Sequence, residues 1–205
     1  MCYSQRHAQR LWCSVRVIAG SQKGRHLRGP QGPGLRPTSD RVKEALFSIL
    51  APHIEGTRFL DLYAGTGAIG IEALSRGAQE ATFVEPHRAS LRILHANLQL
   101  CGLAPLADVR TGTAAAFLER QTPTDRPYDL VFADPPYHEA EHGTDLLSAL
   151  AASAIMTPDC IVVLEHYSKL TVPPQVGCLV RLRQYRYGDT TLSVFRRQPE
   201  GAPSP

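Results

Sequence analysis

From residue 57 onward the chain alternates between short apolar runs and stretches whose apolar residues recur at helical spacing. Strands are predicted at RFLDLY (58–63), ATFVE (81–85), DVR (108–110), YDLVFA (128–133) and CIVVLEH (160–166). Helices are predicted from a glycine loop to Arg76, over His87–Cys101, over Thr113–Arg120 and around Thr144–Ala152, with Gly77 and Gly102 as stop signals. The last two strands, Cys178–Tyr187 and Thr190–Arg197, pair through Gly188-Asp189. Repeated strand–helix units predict an α/β, Rossmann-like domain: a mostly parallel seven-stranded sheet, helices on both faces, and an antiparallel C-terminal edge.

The first part of the chain reads differently. Val15–Ala19 (VRVIA) alternates and predicts a strand. Gly20–Gly34 carries Lys23, Arg25, His26 and Arg28 among five glycines and two prolines, and predicts a hairpin and loop with its basic side chains exposed. A helix follows, capped by Thr38 or Ser39, with Asp40 in its first turn and Val42, Ala45, Leu46, Ile49 and Leu50 as one apolar stripe; Pro52 lies just past its end. The predicted organisation is a disordered extension (1–14), a basic hairpin and helix (15–52), the main domain (53–197) and a disordered tail (198–205).

Composition narrows the class. A chain of 205 residues, 43% hydrophobic and 20% charged, suits one globular domain that needs no staple. No apolar run approaches the ~18–20 residues of a membrane span. The N-terminus, MCYSQRHAQRLWCS, lacks the apolar core of a secretory signal, so a cytoplasmic address is expected. The five cysteines form no C-x-x-C, and His138 with His142 lacks a third ligand, so no metal site is expected. Charge is uneven. Residues 1–45 hold nine Lys/Arg against two Asp/Glu, whereas residues 46–205 hold thirteen against seventeen. Arg181–Arg197 holds five arginines and one acid, Asp189. Basic segments on an acidic body suggest a polyanionic partner, with a merely solvated surface as the alternative.

Two motifs carry chemistry. Gly65-x-Gly67-x-x-Gly70 follows a strand and opens a helix, and Glu85 ends the next strand twenty residues on, which is the nucleotide-binding fingerprint. The first glycines permit a tight turn and close ligand approach, and Glu85 can accept both ribose hydroxyls. Asp61, four residues before Gly65, would repel a pyrophosphate but favour a cation such as the α-ammonium of a methionine moiety. Asp61-Leu62-Tyr63-Ala64-Gly65-Thr66-Gly67 thus looks like the first motif of class I S-adenosylmethionine methyltransferases, in preference to an NAD site. Those relatives often carry an acid or amide near the adenine, where this chain has Thr111-Gly112-Thr113; a backbone N–H or the Thr113 hydroxyl would serve instead.

The second motif, Asp134-Pro135-Pro136-Tyr137, follows a buried strand and should share one crevice with the glycine loop. An exocyclic base amine is a poor nucleophile because its lone pair is delocalised. Acceptors on both its N–H groups favour a pyramidal nitrogen with the lone pair aimed at the methyl. Asp134 supplies one acceptor and a main-chain carbonyl, that of Pro135, another. The paired prolines hold that carbonyl rigidly, and Tyr137 offers a face for stacking an extruded base. The alternative is a rigid turn with Asp134 as a cap.

Leu35-Arg36-Pro37-Thr38-Ser39-Asp40-Arg41-Val42-Lys43-Glu44-Ala45-Leu46-Phe47 resembles the signature of one family, as do Val15–Gly20, Gly24-Arg25, Gly70-Ile71-Glu72-Ala73-Leu74-Ser75-Arg76-Gly77 and the Asp-Pro-Pro-Tyr turn. The family is the bacterial 16S rRNA guanine-N2 methyltransferase that acts on guanine 966 of the small subunit. The resemblance covers roughly residues 15–197 and implies a class I methyltransferase fold, S-adenosylmethionine as cofactor, and 16S rRNA or an assembling small subunit as partner. It implies that Arg36, Thr38 and Arg41 lie near cofactor and target nucleotide, and that Lys23, Arg25 and Arg28 grip the RNA backbone. Asp-Pro-Pro-Tyr is shared with DNA adenine-N6 and cytosine-N4 methyltransferases, which remain an alternative, although no spare segment is left for a DNA-recognition domain. A non-catalytic RNA-binding protein on the same scaffold is the other alternative. Nothing in the sequence demands a dimer.

Overall fold

The computed structural model describes residues 15–29, 40–120, 126–136 and 143–198; the expected extension and tail, the Thr38/Ser39 cap and the His138/His142 pair lie outside them. Among the described residues ten strands and five α-helices run β1 (Val15–Arg16), β2 (His26–Leu27), α1 (Asp40–Leu50), β3 (Arg58–Asp61), α2 (Ala68–Ser75), β4 (Glu80–Glu85), α3 (Arg88–Leu100), β5 (Ala107–Thr111), α4 (Ala114–Glu119), β6 (Tyr128–Ala133), α5 (Gly143–Ala152), β7 (Met156–Tyr167), β8 (Gln175–Val176), β9 (Leu179–Tyr187) and β10 (Thr190–Arg197). The central sheet has the order β5-β4-β3-β6-β7-β10-β9-β8. Its first five strands are parallel, and β10, β9 and β8 are antiparallel. The sheet therefore has eight strands where the sequence predicts seven. The eighth, two residues long, is too short to leave a periodic signal.

Strand alternation divides the core. Phe59, Phe83, Leu130, Phe132, Ile161 and Val163 face one apolar cluster, which also takes the inner sides of α1, α2 and α3. Leu60, Val84, Val131, Val162 and Leu164 face the other, with Leu118 of α4 and Leu147 and Leu150 of α5. Strand β7 begins at Met156 rather than Cys160. Tyr128 pairs with Met156, and the ladder then shifts before Leu130 meets Ile161, which accommodates Pro158 without a ladder donor. Among the described residues no helix is long and apolar enough to cross a membrane.

The N-terminal hairpin is fastened to α2 and α3. The ladder covers Val15–Arg16, Val17 still donates to Arg25 O and accepts from Gly24 N, both at 2.9 Å, and beyond it the amides of Ile18 and Ala19 donate instead to the carboxylate of Glu72, at 2.7 and 2.9 Å. Glu72 also takes Arg76 Nε at 2.8 Å and the Lys43 ammonium at 3.4 Å. Lys43 and Glu72 are both completely buried, and burial holds the Lys43 pKa below its ordinary value against the pull of Glu72. Ser75 closes the junction: its hydroxyl donates to Ala19 O and accepts from the Gln22 amide, while its carbonyl accepts from Ser21 N. Gly20 sits here at φ +82°, and a Cβ would lie 1.7 Å from Ser75 O, so no other residue fits.

Candidate active site

In an open parallel sheet, ligands bind beyond the strands' carboxyl ends, where strand order reverses. That point lies between β3 and β6, since β4 and β5 extend one way and β7 the other. Four carboxylates stand there, one on each of four adjacent strands: Glu85 on β4, Asp61 on β3, Asp134 just past β6, and Glu165 on β7. Asp61 is level with Phe83 and Phe132, so Glu85 and Asp134 lie two residues further out on either side. Ala133 is level with Leu164, so Asp134 and Glu165 are neighbours. By alternation Asp61, Glu85 and Glu165 face the side covered by α1, α2 and α3.

The four differ in how they are satisfied. Glu85 accepts Gly65 N at 2.9 Å with one oxygen and His87 N at 2.8 Å with the other, leaving a second lone pair on each. It thereby props the glycine loop, in which Gly65 (φ +53°) and Gly67 (φ +84°) turn the chain into α2. Asp61 is 1% exposed. One of its oxygens accepts Gly70 N at 3.3 Å; the other has no partner. Burial raises its pKa to about 7, the Gly70 and Tyr63 amides oppose that, and the charges of Asp134 and Glu85 add to it. Asp134 is half-buried between Ala133 and the buried Pro135, and desolvation raises it to about 6.

Glu165 is the residue that sequence reasoning missed. It is 8% exposed, has one oxygen without a hydrogen-bond partner, and is raised to about 8 by burial and then by the charge of Asp134. The available signal was a charge at the carboxyl end of an otherwise apolar buried strand.

The remaining predicted residues are distributed around this row. Thr113 stands beyond β5, next to the Gly112 amide that donates to Glu85 O at 3.2 Å. Its hydroxyl oxygen caps α4 by accepting Ala116 N at 3.2 Å, which leaves its O–H as a donor. Arg41, exposed at the start of α1, places its guanidinium 6.0 Å from the ring centroid of Tyr187 on β9. Lys23 and Arg25 are exposed on the turn between β1 and β2. Arg28 is exposed too, but its backbone is held: Asn97 of α3 accepts Arg28 N at 2.8 Å and donates to Arg28 O and Thr66 O. One buried amide thus joins the basic arm to the glycine loop. Arg36, Thr38 and Tyr137 lie outside the described residues. Among the described residues no group of three or more His, Cys, Asp or Glu side chains is arranged to hold a metal ion.

Comparison with known proteins agrees with this geometry. Residues 15–196 match the family model described as Conserved hypothetical protein 95. The chain is 34% identical over 187 residues to ribosomal RNA small subunit methyltransferase D of Escherichia coli, covering 91% of this chain and 92% of that one. A solved Escherichia coli protein assigned as a methyltransferase superposes with a TM-score of 0.78 at 33% identity, over 90% of this chain and 98% of that one. At 16% identity, an RNA methyltransferase from Salinibacter ruber solved with S-adenosyl-L-homocysteine shares the fold, with a TM-score of 0.60 over 83% of this chain and 98% of that one.

Proposed function

The chain belongs to the Conserved hypothetical protein 95 family and is an S-adenosylmethionine-dependent RNA methyltransferase of the small ribosomal subunit; on that premise we propose that it methylates the exocyclic N2 amine of a guanine in 16S rRNA. The observation that carries this reading is the position of Asp134, one strand from Asp61 across the point where strand order reverses.

The glycine loop fits the cofactor. Asp61 keeps a buried oxygen without a hydrogen-bond partner among the described residues, suited to the ammonium of the methionine moiety, and a Cβ at Gly65 would meet nothing within 4 Å, so a ligand can approach the backbone. Glu85 has lone pairs left for the ribose hydroxyls. Tyr63, Gly67, Thr38 and Thr113 complete the proposed binding set. When bound, the cofactor supplies a methyl group already activated on a sulfonium.

The protein's own part is positioning and proton acceptance. Asp134 and the Pro135 carbonyl accept the two N–H groups of the target amine and orient its lone pair. Pro136 stiffens the turn and Tyr137 stacks on the base. A carboxylate raised to about 6 also accepts the proton that the amine must lose better than an ordinary aspartate does. Lys23, Arg25 and Arg28, with Arg36 and Arg41, bind phosphates around the extruded nucleotide.

The test is methyl transfer from labelled S-adenosylmethionine to unmethylated small subunits, naked 16S rRNA and duplex DNA, with the product digested to nucleosides. Label in N2-methylguanosine is the expected result; label in N6-methyladenine or N4-methylcytosine overturns the target. Asp134→Ala should abolish transfer while cofactor affinity stays nearly intact, and a large loss of that affinity would contradict its place against the base.

A further inference from the structure

We propose that Glu165 is a specificity-determining residue of the target-base site, accepting the N1–H of guanine beside the N2 amine held by Asp134. This rests on the reading of guanine as the target.

Three observations lead to it. The first is placement. Asp134 follows β6 directly and Glu165 lies near the carboxyl end of the adjacent parallel β7, and with Ala133 opposite Leu164 the two are level, roughly one strand spacing, about 4.8 Å, apart. The second is an unmet requirement. Nearly every buried carboxylate oxygen in a folded protein has a hydrogen-bond donor, and one left without a donor is costly. Among the described residues only Asp61 and Glu165 carry a buried side-chain oxygen or nitrogen without one. Asp61 lies against the glycine loop, where a cationic ligand group can serve it. Glu165 lies on the other side of Asp134, away from that loop and toward β10, at the carboxyl end of the sheet where a substrate can supply a donor. The third is the chemistry of the base edge. Guanine presents N1–H and N2–H side by side, two donors in one plane, and two neighbouring acceptors match them.

Adenine and cytosine present an exocyclic amine beside a bare ring nitrogen, which is an acceptor. Set against an ionised Glu165 that nitrogen would meet another acceptor. An acidic neighbour to Asp134 therefore separates guanine from the two other amine-bearing bases, which Asp-Pro-Pro-Tyr alone cannot do. Burial and the Asp134 charge hold Glu165 up to about 8, so in the free site it carries a proton at neutral pH and takes N1–H in its ionised form, which a donor at this position favours and which grows as pH rises through about 8. A site built around a hydrogen-bonding group rejects an analogue lacking it far more strongly than an apolar pocket rejects a missing methylene.

The experiment uses the full-length protein and synthetic RNAs carrying, at the methylated position, either guanine or 2,6-diaminopurine. The latter keeps the C2 amine but has a bare N1. Both RNA affinity and kcat/KM are measured. The wild type should favour guanine by about tenfold or more, the scale of one hydrogen bond to a charged group. Glu165→Gln, whose amide can either accept or donate, should bring that ratio close to unity. Glu165→Met, which fills a similar volume without an acceptor, should lose the preference as well. S-adenosylmethionine affinity should stay at the wild-type level in both variants, marking them as folded. Discrimination unchanged in the variants, with the wild type active on guanine, overturns the role of Glu165 alone. A wild type that methylates no guanine overturns the underlying reading together with it.

Discussion

Glu72 and Glu165 are both glutamates buried in the same half of the core, on opposite sides of the sheet's switch point, and they meet opposite fates. Glu72, in the middle of α2, is saturated: two backbone amides, an arginine and a lysine converge on it. Glu165, near the outer end of β7, keeps an oxygen without a hydrogen-bond partner among the described residues. Both are buried, yet only one is fully compensated among the described residues. The difference separates a carboxylate that holds the structure together from one whose partner comes from outside.

The sharpest way to break this comparison is to remove the saturated group. Glu72→Ala leaves two amides without their acceptor and the buried Lys43 ammonium without its counter-charge, with only the Arg16 carbonyl still accepting from it. Stability should fall by about 3–5 kcal/mol, read by urea denaturation, as for other broken buried ion pairs. A loss below ~1 kcal/mol would show that water or rearrangement replaces the acid.

The second effect has the opposite sign. A carboxyl raised from 4.5 to about 8 binds its proton in the folded state while the unfolded chain has lost it. Its contribution is therefore fully present below about pH 4.5 and is lost as pH rises through about 8. Glu165→Gln should consequently gain on the wild type across that window, by on the order of 3 kcal/mol at its upper end. Parallel stability-versus-pH curves for the two proteins would mean that Glu165 titrates normally.

The smallest effect concerns Asp61, the other unserved carboxylate. With a pKa of about 7 it is close to half protonated at neutral pH, and an ammonium held against it drives that proton off. Cofactor binding at pH 7 should release about half a proton, seen by calorimetry in buffers of different ionisation heat. The release should vanish in Asp61→Asn. A heat independent of buffer would place the ammonium elsewhere.

Much of the architecture was legible because periodicity and glycine punctuation report local geometry. The alternating strands and helices, the glycine loop with Asp61 and Glu85, and the Asp134 turn at one crevice all follow from the order of segments. What was missed depends on partners far along the chain. VRVIA predicts a five-residue strand, but the amides that would continue its ladder are taken by a helix glutamate. Lys43 is buried because two groups from elsewhere meet its ammonium, the Glu72 carboxylate and the Arg16 carbonyl. Glu165 looks like the ordinary polar end of a strand until its neighbour across β6 is known. No local pattern carries such information, because each depends on which side chain the topology brings alongside.

The fastening of the hairpin has a consequence for the order of events during synthesis. The groups that fasten the basic arm to the domain come later in the chain: Glu72 lies 54 residues after Ile18, and Asn97 lies 69 residues after Arg28. An emerging N-terminus has nothing to dock on until α2 and then α3 have left the ribosome. The arm takes its final form only on a nascent domain that already carries the glycine loop, since Asn97 bonds to both. A half-made chain is thereby kept from presenting a finished basic arm without the glycine loop behind it.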